Sequence, residues 1–498
     1  MEGMVKSGTF EAPAARRTVY VLIGLYIALQ TVVFARGEWW APILPFALLS
    51  VALALFSLDK LLGLLVFVTP FSITLEEFDL GVAISLPSEP LMVGVLILFV
   101  LKLLVDGRFD PAFVKHPLSL VVAAQLLWMF FTAMTSELPW VSFKYLLSRL
   151  WFVVSLYYVM SLLFRSDKSI QRFFWLYLIP LAGVVVYTLI VHSESGFSKE
   201  SSVNAMYPLV KEHTSYGAIL GLFLPASFFL AFRFRMGLDL KTAAIAIFLV
   251  LLAGLIFSYT RAAWVGIVVA IGAGLSMHYR MNRGWFWTLA AVFIGLLVLN
   301  RATLFDRLER NDQDSSDDIG EHVESISNIS TDASNLERIN RWNSALRMFE
   351  DRPITGFGPG TYQFVYAPYQ NPREKTIIST NNGDVGNAHS EYLGALSEQG
   401  LPGMLLVVFL VYLSLKTGVR VYYRSTSQQT RFFAMMAVLG LITYWVHGFL
   451  NNFLDMDKTS LGVWGLTALI VRLDLGIKAE SRSAEGSHQA LRPSTDLI

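Results

Sequence analysis

The chain has 498 residues, 54% of them hydrophobic and only 15% charged, where an average soluble domain carries roughly 25% charge. Repeated apolar runs of about 17 residues or more exclude an ordinary water-soluble globule and define an all-α polytopic membrane protein. The net charge of +1 selects no class of partner, no nucleic-acid partner is expected, and the absence of cysteine excludes a disulfide framework and a thiolate metal site.

Lys6, Arg16 and Arg17 precede the first apolar run, and no cleavage site follows it, so that run reads as an anchor. Spans are expected at about 18–35, 39–57, 61–75, 88–105, 117–134, 146–164, 173–191, 214–232, 242–259, 262–279, 284–300, 401–417, 432–450 and 461–474. The third and the last are short, so the expected count is about 12–14. The chain then divides into about eleven spans over 1–300, one large, partly helical outer loop over 301–400, about three spans over 401–475 and a tail over 476–498. Lys and Arg gather in alternate loops, from Lys60 through Arg165, Arg233 and Arg420 to the tail, while 76–87 and 135–143 are poor in them. By the positive-inside rule both termini are cytoplasmic and residues 301–400 lie outside.

Four cations break that rule: Lys144, Arg149, Lys211 and Arg261 all fall near expected outer ends of spans. The ordinary reading of each is snorkelling to lipid headgroups. Together, at one face, they describe a surface for an anion held at the bilayer edge. Arg261 is the sharpest of them, in the turn FSYTRAAWVG between two closely spaced spans.

The outer loop has two parts. Residues 301–333 are acidic and rich in Ser and Asn, and read as solvated surface. Asp312-Gln313-Asp314 there, and Asp455-Met456-Asp457 near the end of the chain, resemble metal-holding carboxylate pairs, but such triplets arise by chance in acidic runs. From Ser334 onward the loop becomes structured. Ser334 and Glu337 have capping-box spacing, and Ile339, Trp342, Leu346 and Phe349 recur at helical spacing as an apolar stripe. Arg338 and Arg341 flank that stripe three residues apart, so both can face one cavity. The helix is expected to end at Asp351-Arg352-Pro353. The glycine cluster GFGPG at 356–360 reads as a tight turn, with phosphate contact as the alternative; it lacks the Lys-Ser/Thr of a P-loop. Tyr362, Phe364, Tyr366 and Tyr369 read as interfacial anchors.

Asn387 is expected to cap a short helix, 388–399, ending at Gly400. His389 would sit in its first turn, where the helix dipole keeps the imidazole neutral and able to accept a proton. A lone His is commonly a satisfied structural residue; this setting favours a base or acceptor-binding group. His213, beside Lys211, is the other histidine with a place at that face, and His447 is a weaker one. No HExxH, no paired His spacing for a metal and no GxSxG occurs.

Four motifs in this order resemble the O-antigen ligase and O-antigen polymerase superfamily: SYTRAAW around Arg261, RWxxAL at 341–346, PxxGxGxG at 353–360, and a HxxYL helix from His389 running into EQGLPG at 398–403. The resemblance covers roughly residues 200–475 and leaves ligase and polymerase both open. It implies a bacterial inner-membrane glycosyltransferase acting at the periplasmic face, metal-independent, inverting and without cofactor. The implied donor is a glycan on undecaprenyl diphosphate, and the implied acceptor is lipid A-core or a second lipid-linked glycan. The resemblance implies catalytic roles for Arg261 and His389. Lys211, His213, Arg338, Arg341, Arg149 and Lys144 are candidates for diphosphate or substrate binding. The family commonly has a further Arg before the span matching 214–232; here Lys211 and His213 stand near that place, and a Lys offers a point charge where Arg offers a fork. A transporter of lipid-linked glycans would also need cations for diphosphate, but no internal repeat is evident and the unusual charges lie at one face rather than at mid-depth. A receptor or scaffold would leave the four misplaced cations without a reason.

Overall fold

In the computed structural model the described residues are 57–75, 84–107, 109–280, 333–372 and 386–490, with Glu374, Lys375, Ser379 and a few single positions before residue 57. The chain separates into two compact units, Met1–Leu61 and Leu62–Ile498. In the first, Tyr26, Thr31 and Val33 are helical, and the helix Leu58–Val68 (α1) begins before its end.

Among the described residues ten helices are long and apolar enough to cross a membrane. They are built on Ser88–Asp106 (α2), Pro117–Met134 (α3), Pro139–Val153 (α4), Asp167–Ser193 (α5), His213–Phe232 (α6), Leu238–Ile256 (α7), Arg261–His278 (α8), Glu391–Arg424 (α10), Gln428–His447 (α11) and Asp457–Ala490 (α12), with Ala333–Asp351 (α9) as a non-spanning helix between α8 and α10. α4 runs on through a π-turn at Val154–Val159 and a 3-10 turn at Met160–Leu163. The architecture is that of an all-α polytopic membrane protein, and each of the ten coincides with an expected span. The expected spans at 18–35, 39–57 and 284–300 lie almost wholly outside the described residues.

The expected span at 61–75 is not one helix. The eleven residues of α1 rise about 16 Å, short of the roughly 30 Å hydrocarbon thickness. The chain then turns at Thr69–Phe71, where Pro70 lacks an N–H, and Ile73–Leu75 (β1) pairs antiparallel with Ile84–Leu86 (β2), Ile73 opposite Leu86. The foot of this hairpin is locked to α12: Ser72 and Ser88 hydroxyls donate to Asp457, and Lys458 Nζ donates to Ser72 O at 2.9 Å. All four side chains are buried, so each charge is compensated where water is excluded.

α6, α11 and α12 form the interior. In α6, 89% of the most apolar stretch is buried, and it packs against α7, α8, α11 and α12. A helix apolar all round is what such a position requires. Small residues set the closeness of the packing: a Cβ on Gly440 of α11 would lie 2.4 Å from the Leu222 carbonyl oxygen of α6.

Polar contacts fall at two opposite ends of the bundle. At one end Asp474 accepts from Arg420 (3.0 Å) and Lys478 (2.7 Å) and meets His116 (3.2 Å), while Arg472 pairs with Asp110. At the other end lie the turn before α8, the segment between α5 and α6, α9 with the residues after it, the start of α10 and the turn between α11 and α12. The candidate chemistry is all at this second end.

Candidate functional site

The site starts from the turn that ends α7. Tyr259 adopts a left-handed backbone (φ 50°), uncommon for a residue with a Cβ. Thr260 Oγ1 then donates to the His213 carbonyl oxygen at 2.8 Å, and Trp264 Nε1 to Leu255 O at 3.1 Å. These bonds bring the N-termini of α6 and α8 together. Arg261 is the first residue of α8, half-buried. A cation there opposes the helix dipole at a cost of about 0.3–1 kcal/mol, so its position needs another charge to explain it. His213, the first residue of α6, lies in the field of Arg338, Lys199 and Arg261, and Glu212 before it in the fields of Lys211 and Arg338.

α9 brings the second half. Its inward face differs from the expected stripe. Glu337, Asn340, Arg341, Ser344, Ala345 and Met348 are buried, whereas Leu346 is 42% exposed. The inward face meets two partners: Ala345 and Met348 pack on the aromatic residues that follow the glycine cluster, and Glu337 and Arg341 face the polar segment around Asn387. Arg341 Nε donates to Glu337 Oε1 (2.8 Å), its Nη1 to the Asn387 carbonyl (3.1 Å), and its guanidinium lies 5.1 Å from the Tyr366 ring centre. Ser334 lies inside the helix rather than capping it, and Glu337 serves Arg341 and Ser379 instead. The helix ends at Asp351 as expected. Arg338, half-buried, acts on His213, His389 and His447 together.

Tyr362 and Tyr366 are not interfacial anchors. They are 2% and 0% exposed, stacked with ring centres 5.1 Å apart, and packed in a small core with Ala345, Met348, Phe357 and Ala388. Burial pushes the Tyr362 hydroxyl well above its ordinary range. Phe364 alone of the four is exposed, at 43%.

The glycine cluster is a docking joint. Phe357 N donates to Ser397 O at 3.1 Å, Gly358 N to Glu398 O at 2.8 Å and Leu401 N to Pro353 O at 2.9 Å. Gly400, with φ 67°, breaks the helical path inside α10 and frees those carbonyls. A Cβ on Gly356 would lie 2.3 Å from Glu398 C, and one on Gly400 2.1 Å from Ile354 O. The PxxGxGxG and EQGLPG motifs are therefore two sides of one contact, and these N–H groups are spent on carbonyls.

His389 does not sit in a helix. α10 begins at Glu391 with Ser390 as its cap. Asn387 instead turns the chain, its Oδ1 accepting from His389 N at 3.0 Å in an Asx turn. His389 is left-handed (φ 47°), and its carbonyl accepts from Trp342 Nε1 at 3.3 Å. The RWxxAL helix thus holds the segment that carries the histidine. Burial first, then Arg338 and Arg341, lowers its pKa to about 3, against a hydrogen bond with Asn451 that raises it. The imidazole is neutral, as expected, but burial and two arginines are the cause rather than a helix terminus.

Arg261, His213, Lys211, Arg338 and His389 thus gather at one end, linked through Arg338. Arg149 is engaged by the turn between α11 and α12: its guanidinium donates to Asp455 (2.6 Å), Tyr145 (2.7 Å) and the Leu454 carbonyl (3.0 Å), and it lies in the field of Glu391. Lys144 is exposed on the same helix. Asp455 and Asp457 are each engaged by a cation, and Asp312 and Asp314 lie outside the described residues. Three residues of the site carry little signal in the sequence. Lys199 precedes α6 by more than a turn. Asn451 follows His447 by four residues, a spacing that places two side chains on one face. Glu391 reads as an ordinary helix-start acid, yet its Oε1 accepts from Phe453 N (2.9 Å), Leu454 N (2.9 Å) and Tyr444 OH (2.6 Å).

Fold and site together describe a multi-pass membrane protein with a cluster of cations and histidines at one end of its bundle. Residues 245–408 match a protein-family model described as O-antigen ligase. The match spans α8, α9, His389 and the docking joint, and it bears out the resemblance to the O-antigen ligase superfamily read from the motifs. It supports an O-antigen ligase-like role in polysaccharide assembly. Among curated proteins no match was found.

Proposed function

We propose that this protein is a glycosyltransferase that moves a glycan from undecaprenyl diphosphate to a sugar hydroxyl, acting as an O-antigen ligase at the periplasmic face of a bacterial inner membrane. The observation that carries the reading is the convergence of Arg261, Arg338 and two long-helix N-termini on the end of the bundle that also holds a neutral His389. Helix N-termini and guanidinium groups suit a diphosphate. The membrane-embedded bundle beneath suits its polyprenyl chain.

In this mechanism the acceptor hydroxyl oxygen attacks the anomeric carbon. The bond from that carbon to the diphosphate oxygen breaks with inversion, and His389 takes the hydroxyl proton. Negative charge grows on the leaving diphosphate, where Arg261 and Arg338 stabilise it without reorganisation. A base of this kind is typically worth about 10²–10⁴-fold. His213 and Lys211 line the diphosphate side. Arg341 positions the His389 segment, and Arg149 and Lys144 support the surrounding fold and the headgroup region. The donor carries the driving force, so neither ATP nor a cofactor enters the scheme.

The test uses purified protein in detergent with a polyprenyl-diphosphate oligosaccharide, with and without lipid A-core, in EDTA. Glycan on lipid A-core, lost in R261A, is the expected result. Longer lipid-linked chains without that acceptor would make the protein a polymerase. Donor crossing vesicles without any transfer would make it a transporter, and normal transfer by R261A would overturn the proposed mechanism.

A further inference from the structure

We infer that Glu391 is a positioning residue for His389: its carboxylate and its own N–H fasten the start of α10 to the turn between α11 and α12, which fixes the place of the histidine two residues earlier. This inference rests on the proposed role of His389 as base.

The first observation is that Glu391 does not serve its own helix. An acid in the first turn ordinarily answers the orphan N–H groups and the helix dipole. In α10 the cap is Ser390, whose Oγ accepts from Leu393 N at 3.4 Å. The carboxylate of Glu391 reaches to another element instead. One oxygen, Oε1, accepts from Phe453 N (2.9 Å), Leu454 N (2.9 Å) and Tyr444 OH (2.6 Å). Phe453, Leu454 and Tyr444 are all buried, so without that oxygen three donors lose their acceptor where water is scarce.

The second observation is that the backbone repeats the contact. Glu391 N donates to the Gly448 carbonyl at 2.8 Å. A Cβ on Gly448 would lie 3.2 Å from Glu391 Cγ, so the stem of the side chain rests directly on the turn. Tyr392 adds a hydrogen bond from its hydroxyl to the Trp445 carbonyl (3.1 Å) and stacks on Phe449 with ring centres 4.4 Å apart. The turn is held from its far side as well, where Arg149 of α4 donates to the Leu454 carbonyl at 3.0 Å. Leu454 therefore has an anion on its N–H and a cation on its C=O, and bonds to charged groups are roughly twice as strong as neutral ones.

The third is what lies between the anchors. Before His389, α9 holds the segment: Arg341 donates to the Asn387 carbonyl and Trp342 Nε1 to that of His389. After it, Glu391 holds the chain to the bundle. His389 itself is left-handed (φ 47°), a backbone that persists only where its surroundings over-determine it. A base must stand within about 3 Å of the proton it takes, and a misplacement of about 1 Å can cost roughly 10²-fold. Loss of the second anchor would displace the histidine without removing a group assigned to the diphosphate.

The experiment uses full-length protein in detergent, with hydrogen exchange and with transfer from a polyprenyl-diphosphate oligosaccharide to lipid A-core. E391A is expected to speed amide exchange over both 448–455 and 386–391, and to lower kcat by about tenfold to a hundredfold at unchanged donor KM. E391Q keeps an acceptor oxygen at the same reach and is expected to retain most of the protection and of kcat. G448A presses on the Glu391 stem without altering its charge, and is expected to behave as a milder E391A. Because Glu391 acts through His389, H389A and the double variant of H389A with E391A are expected to be equally slow; a general structural role would add its own loss to that of H389A. Additive losses, or unchanged exchange over 386–391 in E391A, overturn the inference. Should E391A fail to fold, G448A and its double variant with H389A decide. Failure of the functional reading shows separately, as transfer that survives in H389A, because the exchange measurements need no activity.

Discussion

The guanidinium of Arg341 donates to the carbonyl oxygen of Asn387 at 3.1 Å, two residues before His389. The same group is paired with Glu337, and both side chains are 5% exposed. A Cβ on Gly386 would lie 1.8 Å from Arg341 Nη1, so the backbone comes directly against the cation. A lysine cannot serve Glu337 and Asn387 from one planar fork. R341K is expected to keep donor KM and lose at least tenfold in kcat. R341A strands a buried carboxylate and is expected to cost about 3–5 kcal/mol. Steady-state kinetics and denaturation midpoints in detergent check the two variants.

Gly400 tests the docking joint. Its φ of 67° and the 2.1 Å approach of Ile354 O leave no room for a side chain. G400A is expected to lose about 1–3 kcal/mol through backbone strain alone, and to open the contact between Pro353–Gly358 and α10. Limited proteolysis reads this as faster cleavage within 353–375, together with reduced transfer. Wild-type resistance in G400A would show the joint to be dispensable.

Arg149 and Asp455 tie α4 to the turn before α12. Arg149 is 7% exposed in its side chain and Asp455 46%. D455N removes the charge partner and is expected to cost about 1–3 kcal/mol, below the range for a fully buried pair because solvent screens Asp455. Replacing both, as R149M with D455N, is expected to recover part of that loss, since no buried charge then remains unpaired. Thermal midpoints of the single and double variants measure the coupling.

Acid should destabilise the protein through His389. Its folded pKa of about 3 lies below its ordinary 6.5. Between those values the unfolded chain binds the proton and the folded one does not. The contribution is therefore fully present above about pH 6.5 and is lost as pH falls toward 3. H389Q is expected to flatten this part of the pH dependence. The check is the thermal midpoint of both proteins at about pH 7 and pH 5, where wild type should fall further.

Much of the fold was legible because a bilayer imposes a one-dimensional rule. Ten expected spans coincide with ten apolar helices, since a run such as 214–232 has to be helical to satisfy its backbone in hydrocarbon. The exception, 61–75, failed where Pro70 and a short hairpin override hydropathy. Within the site, Arg261 stood out as a cation out of place. His389 stood out through its motif, although the local structure around it was misread. The stripe on α9 differs for a definite reason: hydrophobic spacing follows the largest apolar residues, whereas this helix turns Ala345 and Met348 into a small aromatic core and Glu337 and Arg341 toward a polar segment. The tyrosines after the glycine cluster were misread likewise, because a small core and a membrane interface use the same aromatic residues.

The amino-acid order by itself determined the class of protein, the spans and the two motif-bearing ends of the site, because these rest on local hydrophobicity and on charges placed against it. Which polar groups meet was decided only by tertiary structure. Arg338 and Arg341 look equivalent in sequence, yet one faces the histidines and the other is held by Glu337 and Asn387. Glu391 folds the α11–α12 turn back onto the start of α10 through Gly448, Phe453 and Leu454. Hydrogen bonds are short-ranged and directional, so partners 62 residues apart, such as Glu391 and Phe453, are fixed by packing and leave no periodic trace in the chain.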